Sequence, residues 1–340
     1  MPDARELDER KSSILSAIVE EYIQTAQPVG SSHVAHSASV AVSSATIRND
    51  MAYLEREGFL VQPHTSAGRV PTEKGYRFFV DHLAQPDLAP LEAQTVGSFF
   101  DRAHSRLEEM LQETSRLLSR LTSYAGVVVG PPSQAAAVRH VQLVGLGGRQ
   151  ALVVLVLSNG TVNQHAMELD GATTEAELAA ATARLNLALV GRSLLAGTAL
   201  AASGDAGLDQ LIGRVLAVLG APDEDASGRV YVGGASNVAG AFTATETVRN
   251  VLALLEEQIV VVSLIRDLLG RGVQVAIGTE TGMAPLAECS LVVAPYSIDG
   301  EPIGSIGVLG PTRMNYPQAL AAVAVVSRRL GHRLSEGPET

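Results

Sequence analysis

Near the start of the chain apolar residues recur at helical spacing. Ile14, Ile18 and Tyr22 fall four residues apart, with Leu15 and Val19 beside them and charges on the other face. The pattern predicts a helix over residues 7–25, ended by Gln27-Pro28-Val29-Gly30, where Pro28 pushes its neighbour out of helical geometry. Ser31 and Ser32 can cap a short helix over about 31–38. A small-residue turn, Ala38 to Val42, then leads to Ser43-Ser44, which cap a third helix running to Glu57 before the left-handed stop at Gly58. Phe59-Leu60-Val61, a polar loop and a return through Arg69-Val70-Pro71 predict a hairpin, with Gly68 giving its tip freedom in φ. Thr72 caps a further helix carrying Tyr76, Phe79, Val80 and Leu83. Helix, short helix, turn, helix and hairpin is the order of a winged helix-turn-helix, here within residues 1–82.

Residues 83–90 carry two prolines and little periodicity, which predicts a linker. A long amphipathic helix is expected over roughly 91–123, its stripe marked by Leu107, Met110, Leu111, Leu117, Leu118 and Leu121. Strands are expected at Ala125 to Val129, Val138 to Leu146, Gln150 to Leu157 and Val162 to Glu168, with turns at 145–149 and 158–160. Helical patterns fill 174–220, a short strand is expected from Arg229 to Val232, and another helix over 244–269. Strands follow at 273–279, 290–296 and 301–309, then a last helix from Tyr316 to Leu334. Strands before and after a helix-rich middle fit one sheet domain, 91–171 with 273–340, split by an insertion at 172–272.

Composition narrows the class. Apolar residues make up 46% of the 340, enough for two or three domains each with a core. No stretch approaches a membrane span, and the N-terminus has no apolar run behind a basic cluster, so a cytoplasmic address is expected. A single cysteine, Cys289, in the mostly apolar AECSLVV, excludes an intramolecular disulfide and a multi-thiolate zinc site. The net charge of −11 argues against indiscriminate coating of nucleic acid. Between Val42 and Val80, however, five basic side chains face four acidic ones, a near-neutral window that suits an operator-specific, salt-sensitive binder.

The third helix shows two faces at about 100° per residue. Ile47, Met51 and Leu54 form one stripe; Ala45, Asn49, Ala52 and Arg56 lie opposite, with Thr46, Arg48 and Tyr53 at the edges. Small Ala45 and Ala52 allow close entry into a major groove, Asn49 can pair bidentately with adenine, and Arg48 can reach guanine or a phosphate. For an isolated helix an ordinary solvated face would be the better reading; the caps, the short preceding helix and the hairpin tip the balance. The candidate DNA-contacting set also includes Ser43 and Ser44 at the helix start and His64, Ser66 and Arg69 in the wing. Lys74 and Arg77 on the next helix complete it as phosphate contacts.

Three strings, PVGSSHVA, SSATIRNDMAYLEREGFL and HTSAGRVPTEKGYRFFVDHL, together with the later VAPYSIDGEPIGSIGVLGPTRMNY, resemble the heat-inducible transcription repressor family known as HrcA. That resemblance implies an α+β multidomain protein with a GAF-like body interrupted by an inserted dimerising domain. It also implies a homodimer on an inverted-repeat operator of chaperone operons, with a GroEL-type chaperonin as modulator. Carried over by motif, the recognition helix is Ser44 to Glu57 and the wing is Pro63 to Pro71.

Other chemistries fare worse. Gly145-Leu146-Gly147-Gly148-Arg149 lacks the following helix that a dinucleotide fingerprint needs, and Gly233-Gly234-Ala235-Ser236 is equally weak as a phosphate cradle. No Walker loop, His-Glu-x-x-His or nucleophile elbow is present. Glu108-Glu109 and Glu256-Glu257 read as solvated helix faces, and His33, His36, His64, His104, His140 and His165 are scattered, so neither enzyme activity, metal nor cofactor is expected. The rival reading is a metabolite-responsive regulator with a ligand pocket in its GAF-like body.

Overall fold

Asp8 accepts a hydrogen bond from Lys11 N at 2.9 Å and so starts helix α1 (Glu9–Thr25), which buries Ile14, Leu15, Ala17, Ile18 and Val19. The computed structural model describes residues 7–35, 42–64, 67–83, 87–102, 107–131, 137–158, 162–169, 173–192, 203–220, 229–242, 245–272, 274–298 and 300–336. Helix α2 (Ser31–Val34) is shorter than expected, and the rest of the expected turn, 36–41, lies outside the described residues. Its N-cap is Gly30, without a side-chain cap bond, instead of the serine pair.

Helix α3 (Ser44–Arg56) is capped as expected: Ser43 Oγ accepts from Thr46 N at 3.2 Å. At its other end Gly58, at φ 77°, lets Phe59 N reach Leu54 O at 2.9 Å and Gly58 N reach Glu55 O at 3.0 Å. This is the paired closure of a left-handed helix stop. Strands β1 (Leu60–Val61) and β2 (Val70–Pro71) pair antiparallel, and helix α4 (Glu73–Asp81) follows from its Thr72 cap. Gly68 is not in the left-handed region; it is required because a Cβ there would clash with the Val29 carbonyl, which accepts from Arg69 N at 2.9 Å. The sequence correctly marks a glycine there, but close approach and not turn freedom is the reason.

One expected helix over 91–123 is two: α5 (Pro90–Phe100) and α6 (Leu107–Thr122), with a turn at Asp101–Arg102. Phe99 and Phe100 stand eleven residues before Met110 and Leu111, all four buried. Eleven residues are about three helical turns, so the periodicity runs on through a break that it cannot register.

The body is an antiparallel five-stranded sheet in the order β7-β3-β10-β9-β8. Strand β3 spans Ala125–Val129. It is buried along its whole length because helices cover both faces of the sheet. Its neighbours come much later in sequence. Between them the chain builds a separate module: strands β4 (Val138–Gly147), β5 (Gln150–Leu157) and β6 (Val162–Glu168) form their own three-stranded sheet. Helices α7 (Glu175–Leu189) and α8 (Ala206–Gly220) pack on it. Val141, Leu143, Val153 and Leu155 meet Leu178, Leu185, Ile212 and Val215 in a core of their own.

The chain then returns as β7 (Val230–Gly233), hydrogen-bonded alongside β3, and Gly130 N donates to Arg229 O at 2.9 Å where the module leaves and re-enters. The split expected at 91–171 and 172–272 is therefore corrected. Strands 138–168 belong with helices 175–220 in the interrupting module, and 230–270 belongs to the main body. Sequence order cannot tell which sheet a strand joins; pairing decides it.

After β7 come α9 (Ala235–Ala241), α10 (Thr245–Glu256) and α11 (Gln258–Gly270). The last two replace the single expected helix 244–269, broken at Glu257 (ψ 81°). Again Leu254 and Ile265, eleven residues apart, are both buried, whereas Ile259, expected in the stripe, is 68% exposed. Strand β8 (Val275–Ile277), shorter than the expected 273–279, precedes two 3₁₀ turns, Gly278–Thr281 and Ala284–Leu286. Strands β9 (Cys289–Ile298) and β10 (Glu301–Pro311) and helix α12 (Tyr316–Glu336) complete the fold.

Alternating residues point to opposite faces of this sheet. Leu291, Val293 and Leu309 face α10 and α11, while Val292, Ile306 and Val308 face α6 and α12. The second face is continuous with the N-terminal core: Ile18, Leu54, Tyr76, Phe79, Leu117 and Tyr316 belong to one apolar cluster. No described helix is long and apolar enough to cross a membrane.

Candidate nucleic-acid interface

Helix α3 separates its faces as its sequence predicts. Ile47, Met51 and Leu54 are buried, and Ala45, Arg48, Asn49, Ala52 and Arg56 are exposed together. Among the described residues, no ion pair engages Arg48, and Arg56 leans over the Tyr53 ring at 5.8 Å. Lys11 of α1 lies over the same ring at 4.9 Å, so Tyr53 has two cations against it. Ser43, Ser44 and Thr46 sit at the helix start. Ser43 Oγ and Thr46 Oγ1 are 2.9 Å apart, and Ser44 Oγ lies 3.3 Å from Ser31 Oγ of α2. The Ser31–Ser44 pair joins the start of α3 to α2.

Asp50 was not foreseen. It is 6% exposed on the core side of α3, where Arg10 of α1 holds it through Nε at 2.9 Å and Nη2 at 3.3 Å. The signal was present in the sequence: an acid 40–100° from the residues of the Ile47-Met51-Leu54 stripe must find a partner or leave the core.

The hairpin carries the rest. His64 is exposed near its tip, and Ser66 lies outside the described residues. Arg69 stands at the base of the hairpin, where its Nε and Nη2 both reach Glu55 Oε2 at 2.9 Å, and Glu55 belongs to α3. Its backbone pairs with Val29. In this structure the Arg69 guanidinium ties the hairpin to α3. Lys74 donates to Glu57 O at 2.7 Å and lies over Phe59 at 4.2 Å, closing the carbonyl end of α3.

Arg77 is placed elsewhere again. Its Nε donates to Glu280 Oε1 at 2.9 Å, its Nη2 to Val275 O at 2.7 Å and its Nη1 to Asp81 at 3.2 Å, so it faces the body. The structure thus brings Ala45, Arg48, Asn49, Ala52 and Arg56 onto one outward face and assigns Arg69, Lys74 and Arg77 to internal bonds.

The glycine loops weighed as phosphate cradles are filled or turned. Gly147 pairs with Gln150 across a hairpin, and Gly234 lies against Ser119 at the start of α9. Between the sheet and α10–α11, an apolar gap lined by Val127, Leu254, Ile265 and Leu309 measures about 10 Å³. Small-molecule pockets begin at roughly 300 Å³. No group of three or more metal-ligating side chains occurs among the described residues.

Comparison with known proteins agrees with this architecture. A family model described as HrcA protein C terminal domain matches residues 108–320. The heat-inducible transcription repressor HrcA of Acidothermus cellulolyticus is 40% identical over 338 residues, covering 97% of this chain and 99% of the relative. The chain belongs to the HrcA family. The HrcA repressor of Nocardia farcinica is 38% identical over 349 residues, covering 98% of this chain and 99% of its own. A solved structure, titled as that of a hypothetical protein at 2.2 Å, aligns with a TM-score of 0.66 at 25% identity, over 97% of this chain and 99% of that one. The HrcA family model spans the interrupting module as well as both flanking parts of the body, so the insertion belongs to the family's domain.

Proposed function

We propose that this HrcA-family chain is a negative regulator of transcription, whose N-terminal 82 residues act as a winged helix-turn-helix. The observation that carries the reading is the outward face of α3, where Arg48 and Asn49 project between the small Ala45 and Ala52. Such a face fits a major groove: Asn49 offers the donor–acceptor pair that adenine requires, and Arg48 the fork that guanine or phosphate requires. Ser43, Ser44 and Thr46 place the amide end of α3 toward the backbone. Arg56, Tyr53 and the hairpin residues His64 and Ser66 flank it.

The body is GAF-like in this reading, and the interrupting module makes the dimer. Support for the dimer comes from its open sheet face: Val144 is 41%, Leu146 54% and Val162 52% exposed, beside half-buried Leu152, Val154 and Val156 on the central strand. A twofold dimer reads an inverted repeat, so its operator has two half-sites an integral number of helical turns apart. The relatives are heat-inducible transcription repressors by name. By family resemblance the operator lies upstream of chaperone operons in the cytoplasm, with a GroEL-type chaperonin as the modulating partner.

Fluorescence anisotropy with an inverted-repeat duplex from a chaperonin promoter, against a scrambled duplex and across salt concentrations, tests the reading. Salt-dependent binding to the operator, with at least a thousand-fold preference on the order found for specific regulators, supports it. Equal affinity for both duplexes in folded, dimeric protein overturns it.

A further inference from the structure

Helix α4 meets the body along one face. Arg77 is bonded to Glu280 and to the Val275 carbonyl, while Glu73 accepts from Thr279 N at 3.2 Å and from Thr279 Oγ1 at 2.5 Å. Glu280 is itself seated by Ile277 N at 2.9 Å, and Gly278 at φ 53° leaves the space that Glu73 enters. Two polar clasps thus join one helix of the head to one turn of the body, crossing about 200 residues of sequence.

Between them lies a defect. Tyr76, 3% exposed, packs its ring on Tyr316 at 5.8 Å, yet its hydroxyl has no hydrogen-bond partner. Tyr22 of the head and Tyr316 and Arg313 of the body surround it. Separation of head and body would return that hydroxyl to water, so the contact is held by the clasps and opposed by the tyrosine.

Docking also changes the head's charge. Arg77 is one of five cations in the 42–80 window; beside Asp81 of its own helix, docking adds Glu280 of the body as its partner. We infer that the Arg77–Glu280 and Glu73–Thr279 clasps form an autoinhibitory latch, which holds the head against the body and withholds Arg77 from DNA phosphate. Operator affinity then follows the fraction of heads released, because a competent state populated in part lowers apparent affinity by that fraction. The inference rests on the DNA-binding reading above, and each released head offers one further phosphate contact.

The test uses the full-length protein and the same operator duplex. Glu280→Gln weakens one clasp from the body side; Thr279→Ala weakens the other without touching a charged pair, and serves if Glu280→Gln fails to fold. Each raises operator affinity about three- to tenfold by enlarging the released fraction, while the salt slope, set by the phosphates that a released head contacts, stays that of the unaltered protein. Adding Arg77→Gln to either variant leaves the head released but removes its phosphate contact, so the salt dependence becomes shallower by about 0.9 in log–log slope for each bound head. Tyr76→Phe removes the orphan hydroxyl, favours docking and lowers affinity by a similar factor. Hydrogen exchange of the Thr279 amide, bonded to Glu73 only when docked, reports latch opening without DNA.

Unchanged or weaker operator binding by both clasp variants, with Thr279 exchange accelerated, overturns the latch and makes docking the DNA-competent state. Thr279 exchange unmoved by either clasp variant also overturns it. No operator binding by any form overturns the underlying DNA-binding reading instead, and the exchange result still reports whether the clasps hold.

Discussion

At the scale of single residues, the cations of the head divide by what holds them. Arg48 stands on the outer face of α3, whereas Arg69 is 17% exposed in its side chain and fixed to Glu55. Their replacement has distinguishable consequences. Arg48→Ala lowers the operator's advantage over random DNA by about 1–3 kcal/mol and leaves the melting temperature in place. Arg69→Ala releases the hairpin from α3, weakens both duplexes alike and lowers the head's thermal stability. Anisotropy with paired melting curves separates them; equal losses on both duplexes for Arg48→Ala would remove it from the base-reading set. Asp50 shows the limit of reading residues alone. Its place near the core stripe announces a partner, but Arg10, forty positions earlier, is named only by the packing of α1 on α3.

At the scale of elements, caps and stops act locally and were legible. Ser43, Thr72 and Gly58 do what their types predict, and a Thr174–Glu177 capping box, visible in the structure, starts α7. Breaks within periodic stretches were not legible, because buried pairs eleven residues apart stay in phase across Asp101 and across Glu257. Gly58 and Gly68 offer a comparison of two glycine roles. A side chain at Gly58 meets nothing within 4 Å, so Gly58→Ala costs only the left-handed backbone, about 1 kcal/mol. At Gly68 a Cβ runs into the fixed Val29 carbonyl, which is bonded to Arg69 on the same bridge. Gly68→Ala is therefore expected to cost more, roughly 2–4 kcal/mol, by a strain mechanism. Hydrogen exchange of the Val29 and Arg69 amides measures it, and exchange no faster than in Gly58→Ala would refute the close-approach role.

At the scale of the whole molecule, one long excursion organises the body. Strands β3 and β7 pair as the arms of a hairpin would, with the module at residues 131–228 in place of its turn. Lengthening a loop roughly twenty-fold costs only about 3 kcal/mol of closure entropy, and the module's own core offsets it. Replacing 131–228 by a short glycine–asparagine turn is accordingly expected to leave a folded head and five-stranded body. The product should sediment as a monomer and bind the operator more weakly, since one head cannot hold two half-sites. A dimer surviving the excision, seen by analytical ultracentrifugation, would move the dimer contact off the module.

The sequence by itself determined the local events and the chemistry they imply: the caps, the two-faced α3, the hairpin after it, and nearly every strand of the body. Those follow from short-range sterics and from side-chain period, which a linear chain displays. Only the tertiary structure decided which strands share a sheet, that Arg69 and Arg77 turn inward while Arg48 and Asn49 remain outside, and that the head rests on the body through Glu280 and Thr279. These depend on partners far apart in sequence. A cation's periodic position gives it a face of the helix, but the nearest carboxylate, which no local pattern records, decides what it binds.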